Sequence, residues 1–190
     1  MLSRLQSISS VNYHIQQVQD YGYPTYVTQL GPHAVQITNA QLQVYNKSGS
    51  GLDLYVLGFY VHNLKTTAGA GLDTYGYLGV VSTEATGTES NIVNVNTWTA
   101  DVATSLIAQI DQPTNAPGAS VFQYYGFNTS SVDNAAAAGS AGAWGRNLLA
   151  NVRGQRPMIL QPGQGIQVAY GVADTNSLLW HQLVFGVVPH

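Results

Sequence analysis

The sequence contains no cysteine, and only 8% of its residues are charged. The absence of cysteine excludes disulfide bridges and thiolate metal sites. An ordinary soluble domain has about 25% charged residues, whose repulsion keeps copies apart. Here amides are abundant instead, with 16 Gln and 13 Asn. Amides can be buried at contacts at a lower desolvation cost than charges, so this composition favours a protein that packs against copies of itself.

The chain also lacks a basic surplus and a long apolar run. Its formal net charge is −3 over 190 residues, whereas proteins that bind nucleic acid or anionic membranes need a basic footprint. No stretch approaches the roughly 18 apolar residues of a membrane helix, and the start (MLSRLQS) has no apolar signal-peptide core. We therefore expect no nucleic-acid partner and no membrane. The length suits one domain with one core.

Catalytic and metal-binding motifs are absent from the sequence. The five histidines stand far apart, without the spacing of metal ligands. No nucleophile elbow or phosphate-binding loop is present, and the scattered aspartates suit turns. We predict no enzyme activity and no cofactor or metal. A hydrolase without a short motif and a calcium site built from loops are the alternatives left open.

Short segments rich in Val, Ile, Tyr and Thr recur between clusters of Gly, Pro, Asn and Ser, which is typical of β-strands. Residues 34–45 alternate in polarity with a break at Asn39-Ala40, which predicts a strand pair or one bent strand. Residues 52–62 are apolar in both phases, which predicts a strand covered by a second sheet on one side and by a neighbouring subunit on the other. Further strands are predicted at 74–82, 91–99, 106–110, 121–127, 157–160, 166–172 and 178–188.

The segments between these strands read as loops and turns. Residues 83–90 and 111–119 are polar loops, 173–177 is a turn, and the Ala/Gly/Ser-rich residues 128–151 form an excursion from the sheet. In the turn at 161–165, Pro162 and Gly163 fit the two central positions of a type II turn. Eight or nine strands predict an all-β fold, a single jelly-roll-like β-sandwich over 24–190. Residues 1–23, with apolar residues at three-to-four spacing, predict an N-terminal arm or short helix.

A short resemblance points the same way. Residues 156–168 (RPMILQPGQGIQV) resemble the hairpin P-[IM]-[IV]-L-x-P-G-[EQ]-G-[LI]-x-[LV] near the end of small β-sandwich proteins of bacteriophage and related virions. The strand that follows it matches 178–187 more weakly. The resemblance implies a jelly-roll-like virion component, whether capsid shell, capsid decoration or fibre, and it carries no catalytic residues.

Tyrosine is the one candidate recognition feature, with 12 Tyr against 4 Phe and 3 Trp. Its large rigid ring with a polar tip suits the rim of a core, a protein interface and sugar stacking, and these three interpretations stay open. A small basic group, which includes Arg153, is suited to a neighbouring carboxylate. The predicted interface residues are Leu5, Ile8, Tyr21, Tyr23, Tyr26, Tyr55, Phe59, Tyr124, Tyr125, Arg153 and Arg156.

We expect from these observations a virion structural protein, a capsid or capsid-decoration component. It would assemble as a homo-oligomer, a trimer, on the viral particle and contact other virion proteins. The alternative is a carbohydrate-binding or receptor-binding β-sandwich module, for which a glycan would be the ligand.

Overall fold

Two antiparallel sheets packed face to face form the fold, which confirms the predicted all-β sandwich. The computed structural model describes residues 24–36, 40–65, 75–90, 92–94, 105–113, 122–128, 141–147, 158–171 and 173–190. The predicted arm at 1–23 lies outside these residues, so the domain boundary stays a prediction. The described strands are β1 (Thr25–Val35), β2 (Leu42–Asn46), β3 (Leu52–Lys65), β4 (Tyr75–Val81), β5 (Thr88–Ser90), β6 (Val93–Asn94), β7 (Ile107–Asp111), β8 (Phe122–Asn128), β9 (Ala141–Asn147), β10 (Ile159–Leu160), β11 (Gln164–Tyr170) and β12 (Asp174–Pro189).

The strand order is that of a jelly roll. The first sheet has the order β10-β3-β12-β1-β6, with β9 also paired to β3, and the second has the order β5-β7-β2-β11-β4-β8. The chain passes from one sheet to the other at each step from β1 to β4, and again from β8 to β9 and from β10 through β11 to β12. This alternation is the double Greek key of jelly-roll domains. The strands β5, β6, β7 and β10 extend the two sheets beyond the usual eight strands.

A β-bulge in β3 explains why this strand is apolar in both phases. The register of β3 against β12 shifts between Val184 and Phe185, where Leu57 is the extra residue. Before the bulge, Leu54 and Val56 face the core, and after it Phe59 takes the opposite sequence phase and faces the core as well. The two apolar phases of 52–62 therefore both serve one core, one on each side of the bulge.

The core fills the space between the sheets. Phe59 and Phe185 from the first sheet and Leu42, Leu78 and Ile166 from the second are each at most 2% exposed and belong to one cluster. Alternate residues of each strand face inward, so the opposite set forms the outer face of each sheet. These two outer faces are the surfaces on which the chain can meet other molecules.

The turn at 161–164 has the predicted geometry but a different place in the fold. Gly163 has a φ of +86°, and the Gln164 amide donates to the Gln161 carbonyl at 3.0 Å, as a type II turn requires. The prediction that the turn joins strands of one sheet was wrong, since β10 and β11 lie in different sheets. The Gln164 side chain also contributes to the turn, because its Oε1 accepts a hydrogen bond from the Gln161 amide at 3.0 Å.

Three predicted irregular segments contain strand. Residues 88–90 of the predicted loop pair with β7 as β5, residues 141–147 of the predicted excursion pair with β3 as β9, and β12 begins at Asp174 within the predicted turn. In each case the segment forms backbone hydrogen bonds with a neighbouring strand, although its own side chains have little β-propensity. Of the predicted strand at 91–99, the described part contributes Val93 and Asn94.

Candidate interaction surface

A histidine lies in the core beside a tyrosine. His181 Nε2 is 2.7 Å from the Tyr170 hydroxyl, and its ring stacks on Phe59 with a centroid separation of 6.4 Å. Both His181 and Tyr170 are buried, and burial raises the pKa of Tyr170 well above its ordinary value. His181 is therefore hydrogen-bonded and fully buried. We assign the pair to the core, because no solvent-borne substrate reaches it.

Two other histidines pair with carboxylates near the surface. His33 Nε2 on β1 lies 2.9 Å from Asp111 Oδ2 on β7, which links the two sheets. His190 Nδ1 lies 2.7 Å from Asp53 Oδ1, at one end of β3. Such pairs carry opposite charges only when the imidazole is protonated. They connect elements of the fold, and within the described residues neither pair belongs to a group of three or more His, Asp or Glu side chains that could hold a metal ion.

The outer face of the second sheet, which we call the covered face, is buried by the chain itself. It consists of Gln43, Tyr45, Ala108, Ile110, Gln167 and Ala169, each at most 6% exposed. Residues 82–87, between β4 and β5, lie across part of it and form the covering segment. The side chain of Ala85 packs in one cluster with Tyr45, Ala108 and Ile110. Gly87 sits so close that a Cβ added to it would lie 2.6 Å from the Ile110 side chain.

Hydrogen bonds fasten the covering segment to β2. The Gln43 amide donates to the Thr83 carbonyl at 3.3 Å and accepts from the Ala85 amide at 2.7 Å. The Tyr45 hydroxyl donates to the Gly163 carbonyl at 2.9 Å and lies 3.3 Å from the Ser82 carbonyl. The Gln43 side chain thereby gives the buried Ala85 amide an acceptor that it would otherwise lack.

One lysine adds charge to this attachment. Lys47 Nζ lies 3.1 Å from Glu84 Oε1 and 3.2 Å from Glu89 Oε1. Burial acts to lower the pKa of Lys47, but hydrogen bonds to Glu84 and Glu89 outweigh burial and raise it. The three side chains are about a quarter to a third exposed, so solvent screens the pairs and each contributes little to stability.

The outer face of the first sheet, which we call the open face, is apolar and partly exposed. It consists of Val27, Tyr55, Tyr60, Ile159, Leu178, Trp180, Val184 and Val188, with Asp53 and Gln182 among them. Ile159 is 40% exposed, more than any other large hydrophobic residue in the described part of the chain. The only charged side chain described on this face is Asp53, which contacts His190. A partly exposed, nearly uncharged sheet face is typical of a surface that another molecule covers.

The structure separates those predicted interface residues that it describes into three groups. Tyr55 lies on the open face, next to Ile159 in register. Tyr26 and Phe59 are 7% and 0% exposed and belong to the core, so their assignment to an interface was wrong. The β3 bulge turns Phe59 inward, and Tyr26 stacks on Phe185 at 5.9 Å. Tyr124 and Tyr125 lie on β8, at the edge of the second sheet. Leu5, Ile8, Tyr21, Tyr23, Arg153 and Arg156 lie outside the described residues.

The sequence analysis missed two features of these surfaces. It did not find the covered face, because Gln43 and Gln167 look like solvent-facing positions of half-buried strands. It predicted a subunit contact from β3, whereas half of the apolar residues named on the open face come from β12. The signal for β12 was present, since residues 178–188 are apolar at nearly every position.

The described residues hold no group of three or more His, Asp or Glu side chains that could bind a metal ion. Among the same residues, no helix has the length and hydropathy to span a membrane. Comparison with protein-family models, curated proteins and solved structures finds no match to this chain.

Proposed function

We propose that the protein is a structural subunit of a virus particle, in its shell or decorating it, and that it assembles with copies of itself. The observation that carries the proposal is the jelly-roll strand order, the architecture that many capsid proteins use. Because lectins and cupins share this architecture, the fold alone does not decide the function. The surface supplies the second argument.

The surface suits self-association in two ways. With a net charge of −3 and 8% charged residues, copies of the chain repel one another weakly. The open face also presents partly exposed apolar side chains on a regular sheet. Covering this face on assembly would remove apolar area from water, which is the main driving force of association.

A second candidate function, glycan binding, is favoured by one arrangement on the open face. Tyr60 lies directly opposite Gln182 and one diagonal step from Trp180, a distance at which aromatic side chains interact. Two neighbouring aromatic rings beside an amide are a suitable platform for stacking and hydrogen-bonding a sugar. This arrangement makes the carbohydrate-binding module the alternative to test.

Mass measurement of the purified chain, together with negative-stain electron microscopy, tests the proposal. We expect a homo-oligomer, whether a dimer, a trimer or a larger assembly, or closed shells. A monomer at up to about 50 µM, well above the Kd of a stable interface, would contradict self-assembly. If that monomer bound a glycan array and Trp180→Ala abolished the binding, the alternative function would replace the proposal.

A further inference from the structure

We propose that the open face packs against the open face of a second copy, related by a two-fold axis. The inference rests on the proposed function in one respect, namely that the chain associates with itself. It goes further by naming the surface and its partner. The occupant is a second copy of this chain, and three observations support that choice.

The first observation is the size of the face. Its three central strands, β1, β12 and β3, have 11, 16 and 14 residues. At about 3.3 Å per residue and about 4.8 Å between strands, the three strands together have a projected area of roughly 650 Å². A stable dimer of standard size buries about 800 Å² on each partner. The open face therefore supplies most of the area that a stable interface needs.

The second observation is that the described side chains of the open face include almost no charged groups. In a two-fold contact the same patch of both copies meets, so a patch with charge of one sign would repel its own copy. The single described carboxylate on the face, Asp53, lies at the end of β3 and contacts His190. The centre carries Val27, Gly58 and Val184, which are adjacent in register on the three strands. Such a face is compatible with its own copy.

The third observation is that the described side chains of the covered face offer no equivalent surface. On the covered face the chain's own residues 82–87 already occupy the position that a partner would take. Packing of two open faces places four sheets in parallel layers, with the new contact resembling the sheet-on-sheet core within each subunit. Trp180 and Tyr60 supply large aromatic area at this contact, as in the anchors of protein interfaces.

Single-cysteine crosslinking tests the pairing directly, because the natural chain has no cysteine. Val184→Cys places a thiol at the centre of the open face, and Ser105→Cys places one at an exposed turn away from it. A bis-maleimide with a reach of about 10 Å matches the spacing of packed sheets. We expect a covalent dimer for Val184→Cys on a denaturing gel and monomer for Ser105→Cys at the same concentration.

A charge introduced at the centre of the contact provides the second measurement. Val184→Glu is expected to abolish association in sedimentation velocity, because each partner buries a like charge at the centre, while Ser105→Glu associates as the natural chain does. Circular dichroism must show that both variants are folded; if Val184→Glu is not, the crosslinking result decides.

The outcomes separate the two proposals. If the natural chain associates but Val184→Cys does not crosslink and a folded Val184→Glu still associates, the open face is not the interface and the proposed function stands. If the natural chain is monomeric in every measurement, self-assembly itself is refuted, and the pairing of open faces with it.

Discussion

The outer faces of the two sheets differ in both composition and cover. The covered face contains buried glutamines and small residues, such as Gln43, Gln167 and Ala169, beneath or beside a segment of its own chain. The open face contains large apolar and aromatic residues, such as Trp180 and Val184, which are partly exposed. Among the described residues, the Gln43 side chain is therefore buried where backbone groups satisfy it, whereas the apolar side chains of the open face stay partly exposed.

The largest expected difference in stability between the two faces comes from a pair of variants, each of which adds one carbon atom to one face. Gly165 lies under Tyr45, and a Cβ there would lie 2.7 Å from the ring and 2.8 Å from the Val44 carbonyl. Gly165→Ala should lower the free energy of unfolding by about 3 kcal/mol, because neither the ring nor the backbone can move without disturbing the covered face.

Val184→Ile adds one carbon to the open face and is the matched control. Its expected cost is below about 0.5 kcal/mol, as for a partly exposed site. Urea unfolding at one fixed protein concentration checks both, since association changes apparent stability. Equal losses for the two variants would show that the faces do not differ in packing.

The buried glutamines give a second pair of variants, both on the covered side. Gln43→Leu leaves the buried Ala85 amide without its acceptor and should cost about 2 kcal/mol. Gln41 is equally buried, but neither polar atom of its side chain has a hydrogen-bond partner. Gln41→Leu should therefore be neutral or stabilising in thermal melts. A larger loss for Gln41→Leu than for Gln43→Leu would refute the role given to the covering segment.

The turn between the sheets tests how the covered face is anchored. Gly163→Val places a β-branched residue at a φ of +86° and should cost about 1–2 kcal/mol. Gly163→Asn, which tolerates this region, should cost less. Because the Tyr45 hydroxyl also donates to the Gly163 carbonyl at 2.9 Å, a shifted turn should raise the hydrogen exchange of residues 82–87. Unchanged melting of Gly163→Val would contradict the type II turn.

The smallest effect is a dependence on alkaline pH. Burial, and secondly the charge of Glu84, raise the pKa of Tyr45 above its ordinary value. The folded state then holds the proton after the unfolded state has released it, so this contribution to stability is complete below about pH 10 and falls as pH rises further. The difference in unfolding free energy between the natural chain and Tyr45→Phe should shrink from pH 8.5 to 11. A difference that stays constant would show that Tyr45 ionises equally in both states.

Local sequence signals predicted much of the fold. Pro162 and Gly163 encode their turn by backbone preference alone, and the strands at 106–110 and 121–127 lie within one residue of β7 and β8. These features depend on neighbours in sequence. The segments that were predicted as loops, 88–90 and 141–147, form strands because they lie beside an existing strand edge, which depends on residues distant in sequence.

The surfaces were harder to predict, for two physical reasons. A single extra residue, Leu57, reverses the side-chain phase of β3, so Phe59 lies in the core and Tyr60 on the open face. Nothing local distinguishes this bulge from a strand buried on both sides. Gln43 is buried because residues 82–87 fold over it, and the sequence of β2 contains no trace of that contact.

The position of β12 has a consequence for how the chain folds during synthesis. This strand contains residues 174–189, yet it lies between β1 and β3, which are made first. Until it has emerged from the ribosome, β1 and β3 have no partner between them, and the first sheet cannot close. Pairings this distant in sequence make folding slow. We therefore expect nascent chains that stop before Asp174 to remain protease-sensitive and to acquire protection only once β12 is available to join the two halves of its sheet.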